Sequence, residues 1–231
     1  ETLKSYSQEN EKTEDNIESI FSKVFRKPLT LVILLAVFNQ FSGINAFLYY
    51  SPRIFELAGL AEDAALISSI GVGLVNLVFT LIGLSLIDRV GRKTLMYIGS
   101  IGYILSLGLV TYSFASYWLG MHVTYFFFLF ISSHAIGQGA VIWVFISEIF
   151  PNRQRAQGQA VGSSTHWILA AIIPAFVPAL FSSIGTTYVF AFFTIMMIFQ
   201  LTWVHFKMPE TKGKNLEELS QELLTKNFNT N

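Results

Sequence analysis

The sequence contains no cysteine, which excludes disulfides, thiolate metal sites and cysteine nucleophiles. Charge is also scarce, because only 13% of the 231 residues are Asp, Glu, Lys or Arg, whereas soluble domains usually carry about a quarter. The 15 basic and 15 acidic residues balance, so the bulk charge suggests neither a nucleic acid nor an acidic partner. These shortages argue against an ordinary soluble domain.

Long apolar runs take the place of the missing charge. Apolar residues make up 52% of the chain, and between Leu29 and Val204 they form runs of about twenty residues, the length that an α-helix needs to cross a bilayer. Lipid offers the backbone no hydrogen-bond partners, so we expect helices. The predicted fold is an all-α membrane protein with six spans, at residues 28–54, 64–87, 94–115, 121–147, 156–181 and 187–206.

The two ends of the chain are polar. Residues 1–15, which begin with Glu1, are hydrophilic and predict a linker tail whose upstream sequence is missing. Apolar residues at positions 17, 20, 21, 24 and 25 have helical spacing and predict an amphipathic helix on the membrane surface. Residues 28–208 form the predicted transmembrane unit, and residues 209–231 form a cytoplasmic tail with a weaker pattern of the same kind.

Basic residues predict the orientation. Of the 15 Lys and Arg residues, all but Arg53 lie in the two termini or in the loops after the second and fourth spans. Short cytoplasmic loops retain Lys and Arg. The sequence therefore places both termini on the cytoplasmic side.

Polar side chains inside the first span are the main candidates for a binding site. Asn39, Gln40, Asn45 and Tyr49 lie around Gly43, and Gln40 aligns with Asn45 only if the helix loosens near that glycine. Amides both donate and accept hydrogen bonds, as a ligand rich in hydroxyl groups requires. A single amide would be explained by contacts between helices, but this density favours a ligand site.

Later spans add further candidates. Asn76 stands alone in the second span and is better explained, by itself, as a contact between helices. Gly139 and Trp143 share a face of the fourth span, where the indole could stand over a space left by the glycine. In the fifth span, His166 next to Trp167 fits a substrate ligand or a structural partner better than a proton carrier.

Charged residues collect at the cytoplasmic ends of the spans. Glu148 has apolar neighbours on both sides and needs an arginine partner. Such ion pairs could latch the cytoplasmic face in one conformation, or could simply hold the helices together. The candidates for this network are Asp88, Arg89, Arg92, Glu148 and Arg155.

Four motifs, in order, resemble the sugar porter family of the major facilitator superfamily. They are NQFSGINAFLYYSP at 39–52, DRVGRK at 88–93, WVFISEIFP at 143–151 together with Arg155, and PETKG at 209–213. The resemblance implies that the chain is the C-terminal half of a twelve-helix carrier, with residues 1–27 as the end of the cytoplasmic helical linker that joins the two halves. It also implies that a missing N-terminal six-helix half is a partner and holds any residue that couples protons.

The resemblance also implies sugar contacts by position. Two of them depart from the family pattern, since Asn39 replaces a glutamine and His166 replaces an amide. The family pattern has a proline-rich stretch before the tryptophan of the fourth span. The corresponding residues here, 137–143, contain no proline, so the flexibility that prolines give to that helix is not implied for this chain. The implied contacts are Asn39, Gln40, Asn45, Tyr49, Asn76, Gly139, Trp143, His166 and Trp167.

The predicted function is therefore transport of a pentose or hexose by alternating access, without a cofactor and without chemistry on the substrate. Transport of a polyol such as inositol, or a role as a transporter-like sugar sensor, are the alternatives. An enzyme is the weakest hypothesis, because no nucleophile motif is present and the four histidines are too scattered for a metal site. The expected partners are a sugar and the lipid bilayer, with no nucleic acid.

Overall fold

The computed structural model describes residues 19–214, and within that range the regular structure is entirely helical. Helices satisfy their own backbone groups, which is what a lipid-embedded chain requires. A short 3-10 turn spans Lys23–Phe25, and a π turn spans Ala135–Gly139. The α-helices are α1 (Arg26–Phe41), α2 (Ile44–Leu57), α3 (Glu62–Val90), α4 (Arg92–Ala115), α5 (Met121–His134), α6 (Ala140–Glu148), α7 (Arg155–Ser183) and α8 (Thr186–Phe206).

These elements form six spans that are long and apolar enough to cross a membrane. The first span combines α1 and α2, and the fourth combines α5, the π turn and α6, while each of the others is one helix. The predicted all-α fold with six spans is confirmed. The span ends differ from the predicted ones by a few residues, because the helices continue past the apolar runs into polar flanks such as Glu62 and Arg155.

The segment before the first span differs from its prediction. Residues 19–22 form a turn rather than part of an amphipathic helix, and the 3-10 turn follows directly. Ile20 and Phe25 are buried in the core, whereas Phe21 is exposed. The remaining residues of the predicted linker and tail, 1–18 and 215–231, lie outside the described range.

The third span makes the most extensive packing contacts with other spans. Helix α4 packs most extensively on α8 and α5, and α1 packs on α7. Phe47 of α2 lies among aromatic rings, with centroid distances of 4.8 Å to Phe127, 4.3 Å to Phe130 and 5.4 Å to Phe190. This aromatic cluster forms the core beside α2, and a second cluster around Phe145 and Trp203 fills the other end of the bundle.

The second and fifth spans are the least covered by the rest of the chain. In the most apolar 18-residue stretch of each span, only 17% of the second span and 22% of the fifth are buried within the chain. Their exposed residues include Ile70, Leu74, Leu81, Ile168 and Phe176. Apolar exposure on this scale marks a surface that meets lipid or another protein.

The first span is interrupted between α1 and α2. Gly43 has a left-handed backbone with φ 83°, a conformation that glycine adopts without the steric cost of a Cβ atom. A Cβ atom at this position would also lie 2.8 Å from the ring of Phe193. The hydroxyl of Ser42 donates to the backbone oxygen of Asn39 over 2.6 Å and so satisfies part of the broken ladder. The predicted loosening near Gly43 is therefore present.

The fourth span changes its winding at the π turn. Gly137 there approaches Gly99 of α4 so closely that a Cβ atom on Gly137 would lie 2.8 Å from the Cα atom of Gly99. A π turn inserts one extra residue into a helix and is frequent at functional sites. It occupies the stretch in which the sequence lacks proline, so glycine packing and the π turn supply the irregularity of this helix.

Candidate functional site

A polar cavity of about 420 Å³ lies between the first, second, fourth and fifth spans. Protein sites for small molecules usually have volumes of about 300–1,000 Å³. Its walls combine amides, imidazoles and indoles with a few apolar side chains. The lining residues are Asn39, Gln40, Ile44, Asn45, Leu48, Asn76, Thr80, His134, Gly139, Ile142, Trp143, His166 and Trp167.

Gln40 is the centre of the hydrogen bonds in this cavity. Its Nε2 atom donates to Oδ1 of Asn39 over 3.1 Å and lies 3.2 Å from Nδ1 of His166. Its Oε1 atom accepts a hydrogen bond of 2.9 Å from Nδ2 of Asn45. Because Gln40 is buried and already partnered, it holds the wall in shape, while the carbonyl oxygen of Asn45 remains available.

Asn76 differs from Gln40 in having no partner. Among residues 19–214, no hydrogen bond or ion pair involves its side chain, although it lies on the cavity wall. A polar group inside a membrane span is costly unless it meets another polar group or water. The amide of Asn76 is therefore free to bind a ligand.

Two indoles form the aromatic part of the wall. Trp143 packs edge-on against the ring of His166 with centroids 4.9 Å apart, and Trp167 packs edge-on against the same ring at 5.2 Å. Both indoles remain substantially exposed within the chain. Exposed aromatic faces beside amides suit a ligand that has both C–H faces and hydroxyl groups.

A second hollow, of about 380 Å³, has different chemistry. Its lining includes Phe41, Phe176 and Leu180 and contains no polar side chain. A hydroxyl-rich ligand there would lose its hydrogen bonds to water without replacement. The polar cavity is therefore the better candidate site.

The end of the bundle that carries most of the basic residues has a largely buried ion pair between α4 and α6. Nη2 and Nε of Arg92 contact the two carboxylate oxygens of Glu148 at 2.6 and 3.1 Å. Nη1 of Arg92 also lies 3.0 Å from the carboxylate of Asp88. The Arg92 side chain is 8% exposed, and Thr211 donates a further hydrogen bond of 2.6 Å to Glu148. A bidentate pair with this support is well oriented.

Glu210 connects the segment after the last span to the same end of the bundle. Its carboxylate accepts hydrogen bonds of 3.0 Å from the backbone N–H groups of Arg92 and Lys93, at the start of α4. The first N–H groups of a helix have no partner within the helix, and a carboxylate there also interacts favourably with the helix dipole. The segment after the last span is thereby tied to the loop between the second and third spans.

Comparison with known proteins assigns the family. The family model described as "Sugar (and other) transporter" matches residues 1–223. The chain belongs to the sugar transporter family. An arabinose–proton symporter of Bacillus subtilis is 36% identical over 89% of this chain and 45% of its own length. The facilitated glucose transporter member 2 of Rattus norvegicus is 33% identical over 87% of the chain and 39% of its own length.

Solved structures of sugar transporters share the fold. An inward-open structure of the xylose transporter XylE from E. coli matches with a TM-score of 0.77 and 27% identity, covering 95% of this chain and 46% of that one. XylE bound to 6-bromo-6-deoxy-D-glucose matches with a TM-score of 0.77 and 30% identity, covering 84% and 42%. The chain thus spans about half the length of the relatives that it matches.

The structure places eight of the nine predicted contact residues on the wall of this cavity, all except Tyr49. Tyr49 is 61% exposed and lies outside the cavity lining, although residues four apart on a regular helix, such as Asn45 and Tyr49, share a face. On α2 the cavity lining ends at Leu48, so Tyr49 lies beyond it.

Three of the five residues predicted for the ion-pair network form ion pairs in the structure. They are Asp88, Arg92 and Glu148. Arg89 is exposed, and its backbone oxygen, rather than its side chain, accepts a hydrogen bond from Lys212. Nε and Nη2 of Arg155 are buried without a hydrogen-bond partner in the described range. Glu148 contacts Arg92 and Thr211, so Arg92 is the arginine partner that the sequence predicted for it.

Two functional candidates escaped the sequence-based analysis. His134 lies on the cavity wall. It is nine residues before Trp143, and nine residues of regular helix make about two and a half turns, so a regular helix would place the two side chains on opposite faces. The π turn changes this phase, and the sequence gives no direct sign of a π turn. Glu210 was part of the PETKG motif, but only the fold brings it to the start of α4.

Proposed function

We propose that this chain is one half of a secondary transporter that carries a monosaccharide, a pentose or a hexose, across the membrane by alternating access. The observation that supports this most strongly is the shared cavity of Asn45, Asn76, Trp143 and Trp167. The amides can exchange hydrogen bonds with hydroxyl groups, and the indoles can cover the C–H faces of a sugar ring.

The second half of the transporter supplies the opposite wall of the cavity in this proposal. Relatives of this family are about twice as long as the chain, and the second and fifth spans offer weakly covered apolar faces. Carriers of this kind bind substrate near the middle of the membrane, between two bundles that rock against each other. We therefore assign residues 28–208 to one bundle, with flanking cytoplasmic segments at 1–27 and 209–231.

The orientation follows from the charges at the ends of the spans. The Arg92–Glu148 pair and Glu210 lie at the end that carries nearly all of the basic residues. The positive-inside rule assigns that end, and both termini, to the cytoplasm. The ion pair then contributes to closing the cytoplasmic side when the cavity faces outward.

Coupling to protons requires a group that this cavity does not supply. Its lining contains no carboxylate, and the relatives include both a proton symporter and a facilitated transporter. In our proposal, a coupling carboxylate, where one exists, belongs to the other half of the transporter.

The test is uptake by the complete twelve-helix protein in proteoliposomes. The panel contains D-xylose, L-arabinose, D-glucose, myo-inositol and the disaccharide trehalose, each with and without a pH gradient. We expect saturable uptake of at least one monosaccharide. Uptake of inositol alone would support the polyol alternative, and binding without uptake would support a sensor. Neither binding nor uptake of any member would overturn the proposal.

A further inference from the structure

His134 is the one cavity residue that is backed by a continuous row of buried polar side chains in the described range. Its Nδ1 atom points away from the cavity and lies 2.5 Å from the hydroxyl of Tyr103. Its Nε2 atom lies on the other side of the ring, where a Cβ atom at Gly139 would be only 3.2 Å away. Gly139 thus makes room for the ring, His134 lines the cavity, and Nε2 has no hydrogen-bond partner among residues 19–214.

The polar row connects side chains of the third, fourth and sixth spans. The Tyr103 hydroxyl donates to Oε1 of Gln138 over 3.3 Å, and Nε2 of Gln138 donates to Oε1 of Gln200. Nε2 of Gln200 donates to the hydroxyl of Ser100 over 2.7 Å, and that hydroxyl donates to the backbone oxygen of Met96 over 2.6 Å. Gln138, Gln200 and Ser100 are completely buried.

The contact between Ser100 and Met96, at the end of the row, determines which group donates each hydrogen bond in it. The backbone oxygen of Met96 has no proton, so at 2.6 Å the proton between it and Ser100 must come from the serine. Ser100 then accepts from the amide of Gln200, which in turn accepts from the amide of Gln138. Because the buried oxygen of Gln138 still needs a donor, the single proton of Tyr103 points to it. The Tyr103 oxygen is left to accept a proton from Nδ1 of His134.

We propose that His134 is a further sugar ligand, whose bare Nε2 accepts a hydrogen bond from a substrate hydroxyl. Tyr103, Gln138, Gln200 and Ser100 act as positioning residues that hold the imidazole in the Nδ1–H form. A neutral histidine has one donor and one acceptor nitrogen, and the partner of one nitrogen decides the role of the other. This inference rests on the proposed function, because it assumes that the cavity binds a sugar.

The inference predicts which chemical change in the substrate is tolerated. A hydroxyl that donates to Nε2 loses the bond when it is replaced by hydrogen, and also when it is replaced by fluorine, which cannot donate. If Nε2 carried the proton instead, fluorine could retain part of the contact. Monodeoxy and deoxyfluoro sugars therefore distinguish the two forms of His134.

The experiment measures equilibrium binding to the complete transporter, with D-glucose, D-xylose and L-arabinose as starting probes. For the best-bound probe, we expect one ring position at which the deoxy and fluoro analogues both bind about five- to tenfold more weakly. In His134→Phe, the parent sugar should weaken by a similar factor, and the discrimination at that position should disappear.

Two further variants separate a ligand role from a structural role. His134→Asn retains an amide where Nδ1 contacts Tyr103 but places nothing at Nε2, so it should match the phenylalanine variant in binding while keeping thermal stability closer to wild type. His122→Phe is the control, because His122 bonds the backbone oxygen of Trp118 over 2.8 Å, outside the cavity lining. It should leave binding and discrimination unchanged.

The positioning row has its own readout. In ¹⁵N-histidine NMR spectra, assigned by difference from the His134→Phe variant, wild-type His134 should be protonated at Nδ1 and bare at Nε2. Tyr103→Phe should shift the population toward the Nε2–H form and reduce discrimination against the fluoro analogue.

The outcomes separate the two proposals. A wild-type protein that binds no sugar contradicts the proposed function. A wild-type protein that binds sugar, but with a protonated Nε2 or with unchanged discrimination in both His134 variants, overturns the inference alone.

Discussion

Asn45 donates a side-chain hydrogen bond of 2.9 Å to Gln40, although five residues of regular helix would turn the two side chains about 140° apart. The break at Gly43 makes the contact possible. By interrupting the helix with a left-handed residue, the chain places two amides on the same wall of the cavity. The geometry of the site therefore depends on a backbone feature as well as on the polar side chains.

Replacement of Gly43 tests this dependence. Gly43→Ala places a Cβ atom 2.8 Å from the ring of Phe193 in a left-handed conformation, so we expect a loss of about 1–3 kcal/mol in unfolding free energy and weaker sugar binding. Gly59→Ala is the matched control, because Gly59 has φ 89° but nothing within 4 Å of its Cβ position. Thermal unfolding and equilibrium binding are the measurements, and equal effects of the two variants on binding would contradict this explanation.

The features that depend on local sequence, such as the positions of the spans, could be predicted from the sequence. A span must be about twenty apolar residues long whatever its neighbours are, so the six spans follow from the hydropathy pattern. The density of amides around Gly43 likewise predicted that Gln40 and Asn45 lie together, as they do on the cavity wall. Both predictions depend on local sequence and on the bilayer, and neither requires knowledge of the packing.

The remaining features depend on contacts between distant segments. Gln138 and Gln200 are 62 residues apart and meet only because α4, α8 and the fourth span pack together. The approach of Gly137 to Gly99 coincides with the π turn that changes the phase of His134. The choice of Arg92 over Arg155 as partner of Glu148 likewise depends on tertiary geometry, because both arginines lie near that carboxylate in the predicted topology.

Asn76 and Gln40 should respond differently to truncation. Asn76 has no protein partner in the described range, so Asn76→Ala should reduce sugar affinity about fivefold while changing stability by less than about 0.5 kcal/mol. Gln40→Ala removes contacts with Asn39, Asn45 and His166 and should cost about 1–3 kcal/mol in stability as well as affinity. Binding isotherms and thermal melts of the two variants test the distinction, which fails if Asn76→Ala destabilises the protein as much as Gln40→Ala.

The exposed indole of Trp143 should contribute directly to sugar binding. Trp143→Ala should weaken binding about tenfold, or about 1.4 kcal/mol, because a ring face is lost from the cavity. Trp143→Phe should recover part of this loss. Trp118→Ala is the control, since Trp118 stacks on His122 with centroids 3.9 Å apart and is not part of the cavity. Unchanged binding in Trp143→Ala would show that the sugar does not contact this wall.

The chain alone should not catalyse transport. Our proposal gives the cavity a second wall from the other half of the transporter, so purified residues 1–231 in proteoliposomes should show no saturable sugar uptake. Co-reconstitution with the N-terminal half of the same protein should restore it, and light scattering in detergent reports whether the chain is monomeric. Saturable uptake by the monomeric chain would contradict the assignment to half a carrier.

Glu148 and Asp88 both contact Arg92, but their removal should have unequal effects. The side chain of Arg92 is 8% exposed and that of Glu148 is 19% exposed, whereas Asp88 is 81% exposed. Removing one partner of a buried pair leaves the other charge desolvated, which costs about 3–5 kcal/mol. Because Asp88 still contacts Arg92, we expect Glu148→Ala to lose about 2–3 kcal/mol in stability, and Asp88→Ala to lose less than about 1 kcal/mol, as is typical of exposed pairs.

A double-mutant cycle assigns the loss to the ion pair. If Arg92 and Glu148 act through each other, Arg92→Ala should cost little more in the Glu148→Ala background, since the buried charge that lacked a partner is then removed as well. Glu148→Gln retains an acceptor oxygen for Arg92 and should fall between wild type and Glu148→Ala. Additive losses in unfolding free energy would show that the two residues stabilise this end of the bundle independently.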